Sequence, residues 1–146
     1  MSDVPTLTLN NGARIPQLGF GTFQVPPEDT ERVVSTALEC PATLRALHAE
    51  HAIATEAWSP LAQGQLLSDP PIARLAERHG VTPAQVVLRW HLRLGNIVIP
   101  KSGTPARMRE NFDVFGFELS ADDLAAIADL ETGQRIGPDP AEFNLR

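Results

Sequence analysis

The sequence predicts an α/β protein in which three short parallel strands follow an N-terminal β-hairpin and are flanked by helices. Three observations carry that expectation. Apolar runs at residues 18–21, 53–59 and 97–99 are separated by segments of helical periodicity, the pattern of parallel strands joined by right-handed crossovers. Pro60 and Pro100 stop the later two runs, as a residue without a backbone N–H does to a strand. Leu7 and Leu9 alternate with Thr6 and Thr8 ahead of Asn11-Gly12, which reads as a hairpin.

Taken in order, Asn11-Gly12 offers the two positive φ angles of a type I′ turn, and Arg14-Ile15 begins the return strand. Leu18 to Gly21 is the first parallel strand, with glycines that let another group approach the backbone. From Pro27 to Glu39 the pattern is helical, with Glu28, Asp29 and Glu31 crowding the first turn and Val33, Val34, Ala37 and Leu38 on one stripe. Pro41 interrupts it and opens a second helix reaching about His51. Two helices therefore abut where a parallel α/β chain normally places a strand. Ile53 to Ser59 is the second strand. Ile72, Leu75 and Ala76 form the face of a short helix closed by Gly80. Thr82, Pro83 and Gln85 make a capping box with Val81 and Val86 as the staple, and this helix runs to Gly95. Ile97 to Ile99 is the third strand. Thr104-Pro105 starts a helix to about Val114; Ser120 and Asp123 start the last one, with Leu119 and Leu124 as a staple pair. Residues 133–146 lack periodicity and read as a flexible tail.

At 146 residues the chain suits one domain. Its net charge of -6 opposes general nucleic-acid binding, which needs a basic surface. Cys40 is the lone cysteine, so an intrachain disulfide and a cysteine-based zinc cluster are excluded. No apolar run is long enough to cross a bilayer. Cytoplasmic residence, with no nucleic-acid or membrane partner, is the expectation. The chain has no tyrosine and a single lysine, Lys101. Any mechanism that needs a tyrosine acid, or a second lysine, is ruled out.

Ligands of parallel α/β folds gather at the carboxyl ends of the strands. That singles out Gly21-Thr22-Phe23, Trp58-Ser59-Pro60-Leu61 and Pro100-Lys101-Ser102. The last is the richest. Lys101 and Ser102 leave a strand just before a helix start, and Arg107 sits on the first turn, where a cation opposes the macrodipole. A bound phosphate would reconcile these features; an ordinary solvated basic turn would also contain them. Trp58 is either a lid on the core or a flat face for a planar ring, and Thr22 and Phe23 are ambiguous in the same way. Glu56, inside a strand, is expected to pair with an arginine. His48 and His51 lack a third ligand, and His79 and His91 are isolated, so no metal site is expected.

These residues resemble the aldo-keto reductases. Leu7-Thr8-Leu9-Asn10-Asn11-Gly12, Ile15-Pro16 and Leu18-Gly19-Phe20-Gly21-Thr22 look like that family's opening. Glu56-Ala57-Trp58-Ser59-Pro60-Leu61 resembles its seventh strand. Ile99-Pro100-Lys101-Ser102, with Arg107, Glu110-Asn111 and Phe117-Glu118-Leu119-Ser120, resembles its eighth strand and the segment after it. The family is a TIM barrel about twice this length that reduces aldehydes and ketones with NADPH. The resemblance implies that Lys101, Ser102 and Arg107 hold the adenosine 2′-phosphate and that Glu110 and Asn111 lie near adenine. It implies that Trp58 stacks on nicotinamide, that Ser59 to Leu61 line the pyrophosphate path, and that Thr22 and Phe23 lie beside the nicotinamide ribose and the substrate mouth. The family's catalytic Asp, Tyr, Lys and His, and its strands two to six, have no counterpart. The implied fold is thus a partial TIM barrel over residues 1–132, carrying strands one, seven and eight with a deletion junction near 39–41. Its implied cofactor is NADP(H), weakly bound, with a small carbonyl substrate only if the family activity survives. Exposed strand edges imply self-association.

Overall fold

The N-terminal hairpin forms because Leu7 and Ile15 can share one half-buried face while Thr6, Thr8 and Arg14 stay in solvent. In this computed structural model, which describes residues 4–9, 12–18, 42–51, 53–57 and 59–130, β1 (Thr6–Thr8) pairs antiparallel with β2 (Arg14–Pro16), Leu7 opposite Ile15. The turn differs from the expected two-residue type I′. Leu9 N–H donates to the Ala13 carbonyl at 2.8 Å and Gly12 N–H to the Leu9 carbonyl at 2.9 Å. That closes a loop of three residues, with Gly12 at φ 82° taking the left-handed position that such loops need. Asn11 lies outside the described residues.

The three expected parallel strands reduce to two. β3 (Glu56–Ala57) pairs parallel with β4 (Ile97–Val98), Ala57 beside Val98. Leu18 reaches the other side of β4 only as a single parallel bridge to Val98, and residues 19–21 lie outside the described range. The expected spans shrink for a physical reason. Pro60 and Pro100 cannot donate to a ladder, and among the described residues no strand covers the outer edge of β3 to hold residues 53–55 in register.

The helices follow their caps. α1 (Ala42–Glu50) occupies the expected position. α2 (Pro70–His79) ends at Gly80, whose φ of 65° permits the left-handed cap. α3 (Pro83–Arg93) starts with the full capping box: Thr82 Oγ1 accepts from Gln85 N–H, and Gln85 Oε1 accepts from Thr82 N–H at 2.8 Å. α4 (Pro105–Phe112) and α5 (Ala121–Ala128) complete the set, α5 with the reciprocal Ser120–Asp123 box. An unanticipated 3₁₀ helix spans Ala62–Ser68. The helix expected over 27–39, the junction near 39–41 and the tail over 133–146 lie outside the described residues.

α3 is the hub. One side, with Leu88 and Leu92, packs on Leu18, Ala57, Val98 and Val114. The other, with Val86, Val87 and Trp90, packs on Ile72, Leu75, Leu119 and Ile127. Every residue from Gln85 to Leu92 is buried, Arg89 and His91 included. A helix enclosed all round forces its polar side chains to find partners indoors.

Candidate functional site

Because Ala57 and Val98 are in register on parallel strands, the chain leaves β3 at Ser59 and β4 at Pro100 along one edge of the sheet. On the first path Ser59 adopts φ 50° and Ala62 φ 43°. A left-handed non-glycine residue costs about 1–2 kcal/mol, and two within four residues is a concentration of strain typical of ligand-facing turns. Ala62 N–H donates to the Ser59 carbonyl at 2.8 Å, and Gly64 N–H to the Leu61 carbonyl at 2.7 Å. Leu61 is half-buried and anchors the turn to both core clusters.

On the second path Pro100 is buried, Lys101 exposed and Ser102 half-buried. Ser102 Oγ accepts from Thr104 N–H at 3.2 Å, folding the loop into the start of α4. That start is chemically open. Thr104 makes no side-chain cap, Pro105 fills the first position, and the first turn has no acidic residue. α5, by contrast, brings Asp122 and Asp123 to its own first turn. Arg107 is exposed on the first turn of α4, and among the described residues neither it nor Lys101 has an ion-pair partner. Helix starts without a side-chain cap or an acidic first turn are suited to anions.

The remaining candidates divide. Glu110 is exposed and Asn111, next to it, is buried, so they occupy different sides of α4. Gln85 Nε2 clamps the far end of α4 by donating to the Asp113 carbonyl at 2.6 Å. Thr22, Phe23 and Trp58 lie outside the described residues. The expected arginine partner of Glu56 is not found among the described residues: Glu56 is exposed on β3, whose outer edge no described strand covers. Arg89 instead pairs with Glu118, which Arg93 Nη1 also approaches at 3.7 Å.

Two histidines that look isolated in sequence are not. His79 Nε2 donates to Asp123 Oδ2 at 3.0 Å. His91 is buried, and its Nδ1 accepts from Asn96 Nδ2 at 3.2 Å. Burial pushes the His91 imidazole down to about 4; the Pro60 backbone opposes that shift and the Arg45 charge adds to it.

Residues 38–132 match the model of the aldo/keto reductase family. The chain belongs to that family. An aldo-keto reductase of Mycolicibacterium smegmatis is 50% identical over 150 residues, covering 94% of this chain and 54% of that protein. Methylglyoxal reductase DkgA of Escherichia coli is 54% identical over 102 residues, covering 68% of this chain and 37% of that protein. Among solved structures, a Gox0644 mutant in complex with NADPH superposes with a TM-score of 0.68 at 52% identity, covering 70% of this chain and 38% of that one. This aldo/keto reductase chain thus spans about half the length, or less, of the curated relatives it matches.

Proposed function

We propose that this chain binds NADP(H) weakly through the adenosine 2′-phosphate and has no carbonyl reductase activity of its own. The reading rests on the start of α4 as an anion cradle: it has no side-chain cap and no acidic residue in its first turn, Lys101 and Arg107 are exposed, and Ser102 Oγ accepts from Thr104 N–H. Its donor set fits a phosphate dianion: Arg107 presents a planar fork, Lys101 a point charge and Ser102 a hydroxyl. Glu110 and Asn111 lie near the adenine, Ser59 to Leu61 line the pyrophosphate path, Trp58 stacks on the nicotinamide, and Thr22 and Phe23 lie beside the nicotinamide ribose and the substrate mouth. The Gox0644 structure with NADPH, 52% identical over the matched part, supports the choice of cofactor.

Bound NADPH supplies hydride, but reduction of an aldehyde or ketone also needs a positioned proton donor, worth about 10²–10⁴-fold. The sequence contains no tyrosine, and its one lysine lies in the phosphate cradle. An internal deletion near residues 39–41 accounts for that loss. The edge of β3 that no described strand covers supports self-association; sedimentation as a strict monomer would rule it out.

Calorimetric titration tests the binding. Dissociation constants of roughly 10 µM to 1 mM are expected for NADPH, with 2′,5′-ADP nearly as tight and NADH weaker. Arg107→Ala should shrink the preference for NADPH, as should salt. Equal affinity for NADPH and NADH, or no heat at millimolar ligand, would refute the cradle. Turnover of a reactive aromatic aldehyde at about 1 s⁻¹ after repurification would refute the inactivity.

A further inference from the structure

Polar side chains as well as apolar ones tie α3 to the rest of the chain. Near its C-terminal end, Gln17 Nε2 donates to the Leu92 carbonyl at 2.9 Å and to the Asn96 carbonyl at 3.3 Å, which fixes the N-terminal segment. A second set reaches the connection between α4 and α5. Gln85, Arg89 and Arg93 recur at one-turn spacing, so they form a single stripe along α3. Gln85 Nε2 donates to the Asp113 carbonyl at 2.6 Å, Arg89 Nη2 donates to Glu118 Oε1, and Arg93 Nη1 lies 3.7 Å from Glu118 Oε2. The Arg89 guanidinium also lies over the Phe115 ring, 5.8 Å from its centre, within the attraction of the ring's negative face.

Arg89 is the unusual member of the stripe. Its side chain is 10% exposed and that of Glu118 67%, so a desolvated cation is matched by a carboxylate at the surface. Its Nε is buried with no hydrogen-bond partner among the described residues. Such an arrangement adds little to stability, because an apolar side chain in place of a buried ion pair is often neutral or stabilising. What it fixes is a direction: a planar guanidinium that must lie over a ring and reach a carboxylate has little freedom to turn. Both partners belong to the segment that leaves α4. Asp113 N–H closes that helix by donating to the Arg109 and Glu110 carbonyls at 3.1 and 3.0 Å, and Val114, next along, is buried in the core. The seats of Phe115 and Glu118 therefore set where the last turn of α4 lies. That turn carries Glu110 and Asn111, whereas the start of α4 is folded separately by the Ser102–Thr104 bond.

We propose that Arg89 is a positioning residue: laid over Phe115 and paired with Glu118, it fixes the α4–α5 connection against α3 and thereby the last turn of α4, which holds the adenine side of the cofactor site. Its functional consequence rests on the proposed NADP(H) reading; its structural one rests on the α3 stripe alone.

Native-state hydrogen exchange tests the structural part without any ligand. The Asp113 amide reports the end of α4, while that of Val81, bonded to the Ala76 carbonyl at 3.0 Å beyond α2, serves as a reference. Arg89→Met keeps a long side chain in the buried site and removes both the charge and the unpaired Nε. Exchange at Asp113 should rise about tenfold while Val81 is unchanged. Arg89→Lys, which keeps a cation for Glu118 and the ring, should exchange more slowly at Asp113 than the methionine variant does. If Arg89→Met does not fold, Glu118→Ala opens the same contact from its exposed side and should give the same local rise. Unchanged exchange at Asp113, an equal rise at both amides, or a lysine variant no better protected than the methionine one would overturn the assignment. The binding arm compares 2′,5′-ADP, by calorimetry, with inorganic phosphate, by the amide shift of Arg107. Arg89→Met should weaken 2′,5′-ADP several-fold and leave phosphate unaltered, because only the adenine side is displaced. Equal weakening of both, or of neither, would overturn the positioning role. Wild-type protein that bound neither probe would overturn the cofactor reading, and the exchange result would then decide the Arg89 tie by itself.

Discussion

Replacing Asp123 by alanine should cost about 3 kcal/mol of folding stability, and the sum can be assembled group by group. Asp123 is buried at the start of α5, where one carboxylate receives the Ser120 N–H at 3.0 Å, His79 Nε2 at 3.0 Å and the Arg78 guanidinium. Loss of the capping contact is worth about 1 kcal/mol. The His79 contact, mostly shielded from solvent, adds about 1.5 kcal/mol. Arg78 is 57% exposed, so its share is discounted to under about 0.5 kcal/mol. Urea unfolding reads the total as a midpoint shift of roughly 1.5 M for a slope near 2 kcal/mol per M. Asp123→Asn keeps an acceptor of the same size and should lose about half as much. A double-mutant cycle with His79→Leu should return a coupling of about 1–1.5 kcal/mol. A loss below about 1 kcal/mol for the alanine variant, or a coupling near zero, would refute the picture of Asp123 as the joint between α2 and α5.

Acid should unfold the protein partly through His91. Its folded pKa is depressed from 6.5 to about 4, so its contribution is whole above pH 6.5 and is lost as pH falls toward 4, as the unfolded chain takes up the proton. That loss amounts to about 3 kcal/mol; His91→Phe should flatten the stability-versus-pH curve in this window, and an unaltered slope would refute the burial effect. Ser59→Gly should stabilise by about 0.5 kcal/mol, since it relieves a positive φ at a half-buried site. Ala62→Gly should gain nothing, because the same relief is offset by losing a buried methyl. Thermal unfolding separates the two, and equal shifts would show that the buried methyl of Ala62 does not offset the relief of strain.

What could be read from the sequence is what local chemistry decides. The boxes at Thr82-Gln85 and Ser120-Asp123 and the stop at Gly80 bring their partners within a few residues, so they stand in the structure as expected. The loop after Pro100 and the helix start at Thr104-Pro105 are local in the same sense, which is why they were legible before any tertiary contact was known. Strand lengths were not legible. Whether residues 53–55 extend β3 depends on a neighbour along an edge that no short-range pattern encodes. The hairpin turn went astray because Asn11-Gly12 suits both a two-residue loop and the end of a three-residue one, and the Leu9–Ala13 pairing chooses the latter. The partnerships of His79 with Asp123 and of Arg89 with Glu118 span 44 and 29 residues, beyond the reach of periodicity.

The contacts of Gln17 and Leu18 also set an order of assembly. Gln17 bonds across 75 and 79 residues, and closing a loop that long costs about 1.8 kcal/mol more than closing one of ten residues. α2 and α3, joined through Gly80 and Val81, face almost no such penalty. The helical pair therefore forms first and the N-terminal segment arrives afterwards, as a clasp on a surface already built. Pulse-labelled exchange should show Val86 protected before Val98; simultaneous protection would refute the order. Until the clasp closes, β4 presents the edge that Leu18 later caps, and an uncapped edge recruits other chains. Synthesis from the N-terminus does not shorten that interval, because the waiting segment emerges first and its seat, Val98, comes eighty residues later.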